Sequence, residues 1–166
     1  QFLVSNNMSA ALGTEKYRIF WMQNMLWSNI KLLSWLEKEY GAVVVMEAFG
    51  YQKGPVFENP DDLDRIFYDL ARKTLALPMI HGASGPIENY LEVSEQIIKD
   101  YQVDLAMFVG HVSCKHTWAV SKLVKDMVRE KFDLPTLTID VDAIDSRYKK
   151  PEETQAIISE FMETLA

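Results

Sequence analysis

The sequence predicts a doubly wound α/β domain: four parallel strands in the order 2-1-3-4, with helices on both faces. Three observations predict it. Short runs of β-branched and aromatic residues alternate with longer stretches of helical period. Residues 42–48 (AVVVMEA) are almost continuously apolar, as expected of a strand covered on both faces. The long connection after that run gives the chain room to return past the first strand.

Each element follows in order. Residues 17–22 (YRIFWM) form the first strand. After the loop 23–27, Ser28 or Asn29 can cap a helix that runs to Tyr40. Ile30, Leu33, Trp35 and Leu36 recur there at helical spacing, and Gly41 holds the position that ends such a helix. Residues 42–48 are the second strand. Asn59-Pro60-Asp61-Asp62 is a helix start, with a capping Asn, Pro at the first helical position and acids near the positive end of the dipole. That helix reaches about Leu75. Residues 77–86 (LPMIHGASGP) are punctuated by Pro and Gly and read as loop.

Pro86 opens a helix reaching about Asp100, with Ile87, Leu91, Ile97 and Ile98 among its apolar positions. Residues 105–109 are the third strand, which stops at Gly110. In the following helix, Ala119, Leu123 and Met127 form one apolar row, and Val120, Val124 and Val128 form another. Together they make a band toward the sheet. Pro135 introduces the fourth strand, 136–141. The last helix starts near Pro151 and buries Ile157, Ile158, Phe161, Met162 and Leu165.

Composition bounds the function. A chain of 166 residues with 48% hydrophobic content fits one well-cored domain. A net charge of −7 argues against nucleic acid, which requires a concentrated basic face. No apolar run approaches the roughly 20 residues that cross a bilayer, and the opening residues lack the pattern of a signal peptide. The single cysteine, Cys114, cannot build a disulfide framework, which favours a reducing, cytoplasmic setting. The opening QFLVSNNMSAALG reads as the middle of a longer polypeptide. Residues 1–15 are then the tail of a preceding region. Residues 16–166 are a single α/β domain at the C-terminal end of a longer subunit.

In doubly wound sheets, ligands bind beyond the C-terminal strand ends, where strand order reverses. Here that point lies between strands one and three. It brings together the loop 23–27, which carries Trp27, and the segment His111–His116. Cys114 sits in the latter, just ahead of a helix whose N-terminus favours negative charge.

GHVSCKH admits four readings from the residues alone. Cys114 is a small buried apolar residue, or it joins His111 and His116 in a zinc site that lacks a fourth ligand and the familiar spacings. Alternatively it is a nucleophile with His111 or His116 as base, or one ligand of an iron–sulfur cluster whose other ligands lie elsewhere. Trp27 is either core packing or a pocket wall. Glu47 reads as a solvated strand end and His81 as a loop residue without chemistry. Asp140, Asp142 and Asp145 lack calcium-loop spacing and read as strand-end and turn residues. Asp61, Asp62 and Asp64 favour a helix start.

From about Lys16 onward the chain resembles a known family. The segment KYRIFWMQNMLWSNIKLLSWLEKEYGAVVV looks like the opening of the C-terminal domain in subunits of the 2-hydroxyacyl-CoA dehydratase and benzoyl-CoA reductase family. GHVSCKHTWAVSKLVKDMVREKFDLPTLTIDVDAID is similar to that family's late segment, with Cys-Lys-His after a strand and an acidic stretch after the next. The loop before Trp27 departs from the family's Pro- and Gly-rich pattern. The resemblance implies a four-iron four-sulfur (4Fe-4S) cluster held by three cysteines. Cys114 would be the C-terminal one, with Ser113, Lys115 and His116 around it and Trp27 lining the cluster pocket.

It also implies a second dehydratase subunit, an ATP-dependent activator that delivers one electron, and an acyl-CoA substrate. The ketyl radical formed from that substrate expels its 2-hydroxyl group, giving the enoyl-CoA. In the benzoyl-CoA branch the ring is reduced instead. The alternative reading is a non-catalytic, flavodoxin-like (Rossmann-type) binding module for a nucleotide or a protein partner. Neither a G-x-G-x-x-G nor a Walker sequence supports the nucleotide.

Overall fold

Alternating side chains on two central strands sort the helices into two layers. The computed structural model describes residues 15–52, 59 and 61–165, the side chains of 83 and 84 apart. Strand β1 (Tyr17–Trp21) turns Ile19 and Trp21 to one face and Phe20 to the other. Strand β3 (Leu105–His111) turns Leu105, Met107 and Val109 to the first face, and Ala106 and Phe108 to the second. β2 (Ala42–Glu47) and β4 (Thr136–Val141) complete a sheet of order β2-β1-β3-β4. All three strand pairings are parallel, so the predicted sheet is the observed one.

Helix α1 (Lys31–Tyr40) covers the first face with Leu32 and Leu36, beside Ile158 and Met162 of α6 (Pro151–Glu163). The second face lies under α4 (Ile87–Tyr101), through Tyr90, Ile97 and Ile98, and under α5 (Lys115–Phe132), through Val124, Met127 and Val128. Gly41 ends α1 in the left-handed conformation at φ 63°, and its N–H donates to Glu37 O at 3.0 Å.

Several local expectations change. β2 is half-buried along most of its length rather than covered on both faces, because the order makes it an edge strand with one neighbour. Ser28 and Asn29 lie inside a 3-10 turn (Trp27–Asn29), and Ile30 takes the N-cap of α1 without a side-chain cap. Helix α2 (Leu63–Leu75) starts later than Asn59: the Asp62 carboxylate caps it by accepting from Arg65 N at 3.0 Å. Asn59 Oδ1 instead accepts from Asp61 N, and Pro60 lies outside the described residues.

Residues 77–86 are not simply loop. Helix α3 (Pro78–Ser84) occupies most of them. Pro78 suits a first turn, where its missing N–H has no partner to lose, and only Gly85 and Pro86 act as breaks. β3 runs on through Gly110 to His111, which pairs with Val141. On α5, Ala119 is exposed and Leu123 is 48% exposed. The sheet meets the narrower stripe of Thr117, Val120, Val124, Met127 and Val128, because two adjacent apolar rows span more of a helix than one sheet contact covers.

Candidate functional site

The loops after β1 and β3 border one cavity at the C-terminal edge of the sheet, and a buried chain of side-chain hydrogen bonds joins its walls. Met22 N donates to Met107 O at 2.9 Å, which carries the end of β1 alongside β3 and delivers Gln23 to that edge. Gln23, Tyr90 and Thr117 are all buried there. Thr117 Oγ1 donates to Gln23 Oε1 at 3.1 Å, and Gln23 Nε2 donates to Tyr90 OH at 3.1 Å. The Tyr90 hydroxyl in turn donates to Met22 O. Each buried polar group therefore has a partner, as burial requires, and burial pushes the Tyr90 phenol pKa well above its ordinary value.

Cys114 is the N-cap of α5, in extended backbone conformation. Its N–H donates to His111 O at 2.9 Å, and its carbonyl accepts from Trp118 N at 3.3 Å. Trp118 Nε1 also donates to His111 O, at 3.1 Å. The indole packs against the end of β3, where a Cβ on Gly110 would lie 2.7 Å from Trp118 Cζ2. The turn that presents Cys114 is thus tied down on both sides.

The cavity has a volume of about 290 Å³. Gln23 and Asn24 line it from the loop after β1, and Cys114, His116 and Thr117 from the start of α5. Phe49, Met79, Ile87, Tyr90 and Val120 form the rest of its larger walls. Cys114 is half-buried on this wall, and His116 is exposed beside it. Ser113 and Lys115 are exposed and do not line the cavity.

Trp27 is 72% exposed and stands outside the cavity wall. Trp21 Nε1 donates to Asn24 O at 2.9 Å, which turns the loop so that Leu26 takes the buried position. The loop therefore reaches the cavity of Cys114 through Gln23 and Asn24, not through Trp27.

Among the described residues, no group of three or more His, Cys, Asp or Glu side chains could hold a metal ion. The zinc constellation is not assembled: His111 Nδ1 accepts from Ala143 N at 3.3 Å, within the turn after β4. The donor set of this chain fits a metal–sulfur centre only as the contributor of one thiolate.

Glu47 is more than a solvated strand end. Its Oε2 accepts from Met25 N at 3.3 Å, and burial raises its pKa against the lowering effect of that bond. Asp140 accepts from Tyr148 OH and Lys149 Nζ, and Asp142 accepts from Ile144 N and Asp145 N. These are the strand-end and turn roles expected of them. His81 lies in α3 rather than in a loop. Gln23, Tyr90 and Thr117 were not singled out in the sequence. The available signal was a polar residue at each of three positions that topology turns inward: two residues past β1, on the apolar stripe of α4, and in the first turn of α5.

A four-stranded parallel sheet of order β2-β1-β3-β4 with helices on both faces defines a doubly wound α/β domain, and the cavity beside Cys114 lies where its strand order reverses. Within that class the chain belongs to the family of the 2-hydroxyglutaryl-CoA dehydratase D-component, whose family model matches residues 5–165. The match covers nearly the whole chain and begins upstream of Lys16, where the resemblance read from the sequence starts. No curated protein matches the chain. The family is that of a dehydratase component, which places the chain among parts of lyases that work with further components. No helix among the described residues is long and apolar enough to cross a membrane.

Proposed function

We propose that this chain is the C-terminal domain of a dehydratase subunit, and that Cys114 supplies one thiolate to a 4Fe-4S cluster completed from outside the chain. The intact enzyme eliminates water from a 2-hydroxyacyl-CoA, after one-electron reduction by an ATP-dependent activator, to give the enoyl-CoA. The carrying observation is the position of Cys114. It is the sole cysteine of a chain of the dehydratase family, and it is half-buried on the cavity at the point where strand order reverses. One thiol is one ligand, and such clusters take several cysteines, so the chain by itself is inactive. The cluster, when bound, supplies one-electron transfer.

The chain's own residues orient and shield. The bonds from Cys114 N and Trp118 Nε1 to His111 O hold the turn that presents the thiol. The Thr117–Gln23–Tyr90 chain holds α5 to the loop after β1. Ser113, Lys115 and His116 flank the thiol, where neighbouring groups orient a ligand and tune a centre's potential. Trp27, exposed on the loop after β1, meets another part of the enzyme. A second dehydratase subunit closes the site against water and oxygen, in the cytoplasm, where a lone thiol stays reduced.

The test is iron and acid-labile sulfide analysis, with electron paramagnetic resonance, on the full-length protein purified without oxygen. Wild type should carry about four irons per cluster. Cys114→Ala should lose most of them, and Ser113→Ala should keep them. Equal iron in wild type and Cys114→Ala would overturn the assignment, as would a wild-type protein without iron.

A further inference from the structure

Helices α1, α4, α5 and α6 turn apolar side chains inward, and α2 does the reverse. The four bury Leu, Ile, Val or Met against the sheet. The one residue that α2 buries is Asp69, whose carboxylate accepts from Arg65 Nε at 3.2 Å. Leu63 and Phe67 are 68% and 67% exposed, and Leu70 and Leu75 are exposed as well. Leu63, Phe67 and Leu70 follow one another at i, i+4 and i+7, so they form one stripe along the helix. An apolar stripe of that spacing is the seam of a helix-to-helix contact. Its exposure leaves the seam uncovered in the single chain.

The seam reads the same in both directions. Leu63, Phe67, Leu70 and Thr74 are separated by steps of four, three and four residues. Turning α2 end for end about the midpoint between Phe67 and Leu70 therefore restores the same spacing. Two copies packed antiparallel would set Phe67 against the partner's Leu70, and Leu63 against the methyl of the partner's Thr74. The charges match the same arrangement. Asp61, Asp62 and Asp64 stand at the N-terminal end of α2, and Arg72 and Lys73 in its last turn. Antiparallel packing brings the acidic end of each copy level with the basic end of the other, and opposes the two helix dipoles. Parallel packing would set acid against acid and base against base.

We infer that α2 is a contact between two copies of this chain, packed antiparallel about a two-fold axis. The inference stands apart from the role given to Cys114. A second copy is the occupant because the apolar spacing and the charges complement each other within one 13-residue helix, as a contact made by the same patch on both sides requires. Covering Leu63, Phe67 and Leu70 supplies the drive. One helix face is a small interface, so the pair exchanges with single chains rather than being permanent.

Sedimentation of the purified chain tests this, with a reductant present so that Cys114 cannot bridge two copies. The average mass should rise from one chain toward two between about 5 and about 500 μM, as mass action requires. Backbone amides of α2, weakly held in the single chain, should gain protection from exchange at the higher concentration. Phe67→Glu should remain a single chain throughout. Phe67 is exposed, so that variant should keep the melting temperature of dilute wild type. Asp64→Lys and Arg72→Glu should each weaken association by about threefold or more, because a two-fold pair contains each contact twice. The double variant Asp64→Lys/Arg72→Glu should return association to near the wild-type value. Both changes oppose the dipole of their own helix, so a merely local effect would add rather than cancel. A single chain at every concentration would overturn the inference. So would a pair that survives Phe67→Glu, or a double variant that associates no better than either single one.

Discussion

Thr117 donates its hydroxyl hydrogen to Gln23 Oε1 at 3.1 Å, across 94 residues of chain, and both residues are buried. This bond joins the first turn of the helix that follows Cys114 to the loop that leaves β1. The two strands that set the cavity are thereby linked by side chains as well as by backbone.

Thr117→Val should destabilise the fold by about 1–2 kcal/mol, because the buried Gln23 oxygen loses its donor without gaining water. Gln23→Leu should cost a similar amount by orphaning Thr117 and one side of Tyr90. The double variant should cost clearly less than the two added together, since neither partner is then left unsatisfied. Urea unfolding of the four proteins measures the coupling, and strict additivity would show that the bond contributes nothing.

Gly110→Ala should destabilise by about 1–3 kcal/mol, since the new methyl meets the Trp118 ring and the start of α5 must shift. Trp118→Phe removes the ring atoms in the way, and with them the hydrogen bond to His111 O. The Gly110→Ala/Trp118→Phe double variant should therefore unfold at a higher temperature than additivity predicts. Calorimetry of the set decides it.

Alkaline stability should report Tyr90. In the unfolded chain its phenol ionises near pH 10, and burial raises that value in the folded state. Above about pH 10 the unfolded state releases a proton that the folded state retains, so stability falls as pH rises. Below that range the group contributes no slope. Tyr90→Phe should flatten the decline between pH 10 and 11.5, read from denaturation midpoints. A spectrophotometric titration should also show Tyr90 missing from the phenolates formed while the protein remains folded.

Helix α2 should open well before the sheet. Asp69 is its one buried residue, whereas Leu63, Phe67 and Tyr68 are more than half exposed. β3 buries six of its seven residues. Backbone amides of α2 should exchange with solvent orders of magnitude faster than those of residues 105–109. Comparable protection in the two elements would show that α2 is held by more than its helical bonds.

Element type and order were legible in the sequence wherever one period dominated. The aromatic run 17–22, the β-branched run 42–48 and the apolar positions of α6 each satisfy one periodicity over their length, and a period is a local property. The position of Cys114 before a helix was legible for the same reason; the resemblance to the dehydratase family rested instead on the segments around Trp27 and Cys114. A short helix escaped notice because Pro78 and Gly82 punctuate residues 77–86 without breaking it. Which half of the band on α5 faces the sheet depends on how the helix is rotated about its axis, and Gly110 and Trp118 help set that rotation only after they meet.

By itself, then, the sequence determined a parallel α/β sheet of order 2-1-3-4 and a cysteine at its C-terminal edge. Only the tertiary structure decided what surrounds that cysteine. Gln23, Tyr90 and Thr117 come from three segments that are far apart in the chain, and their bonds exist only once two strands and two helices have docked. Tertiary packing also gave Leu26 the buried place and left Trp27 on the surface. Periodicity records which residues avoid water, but a site made of satisfied polar groups depends on distances between segments.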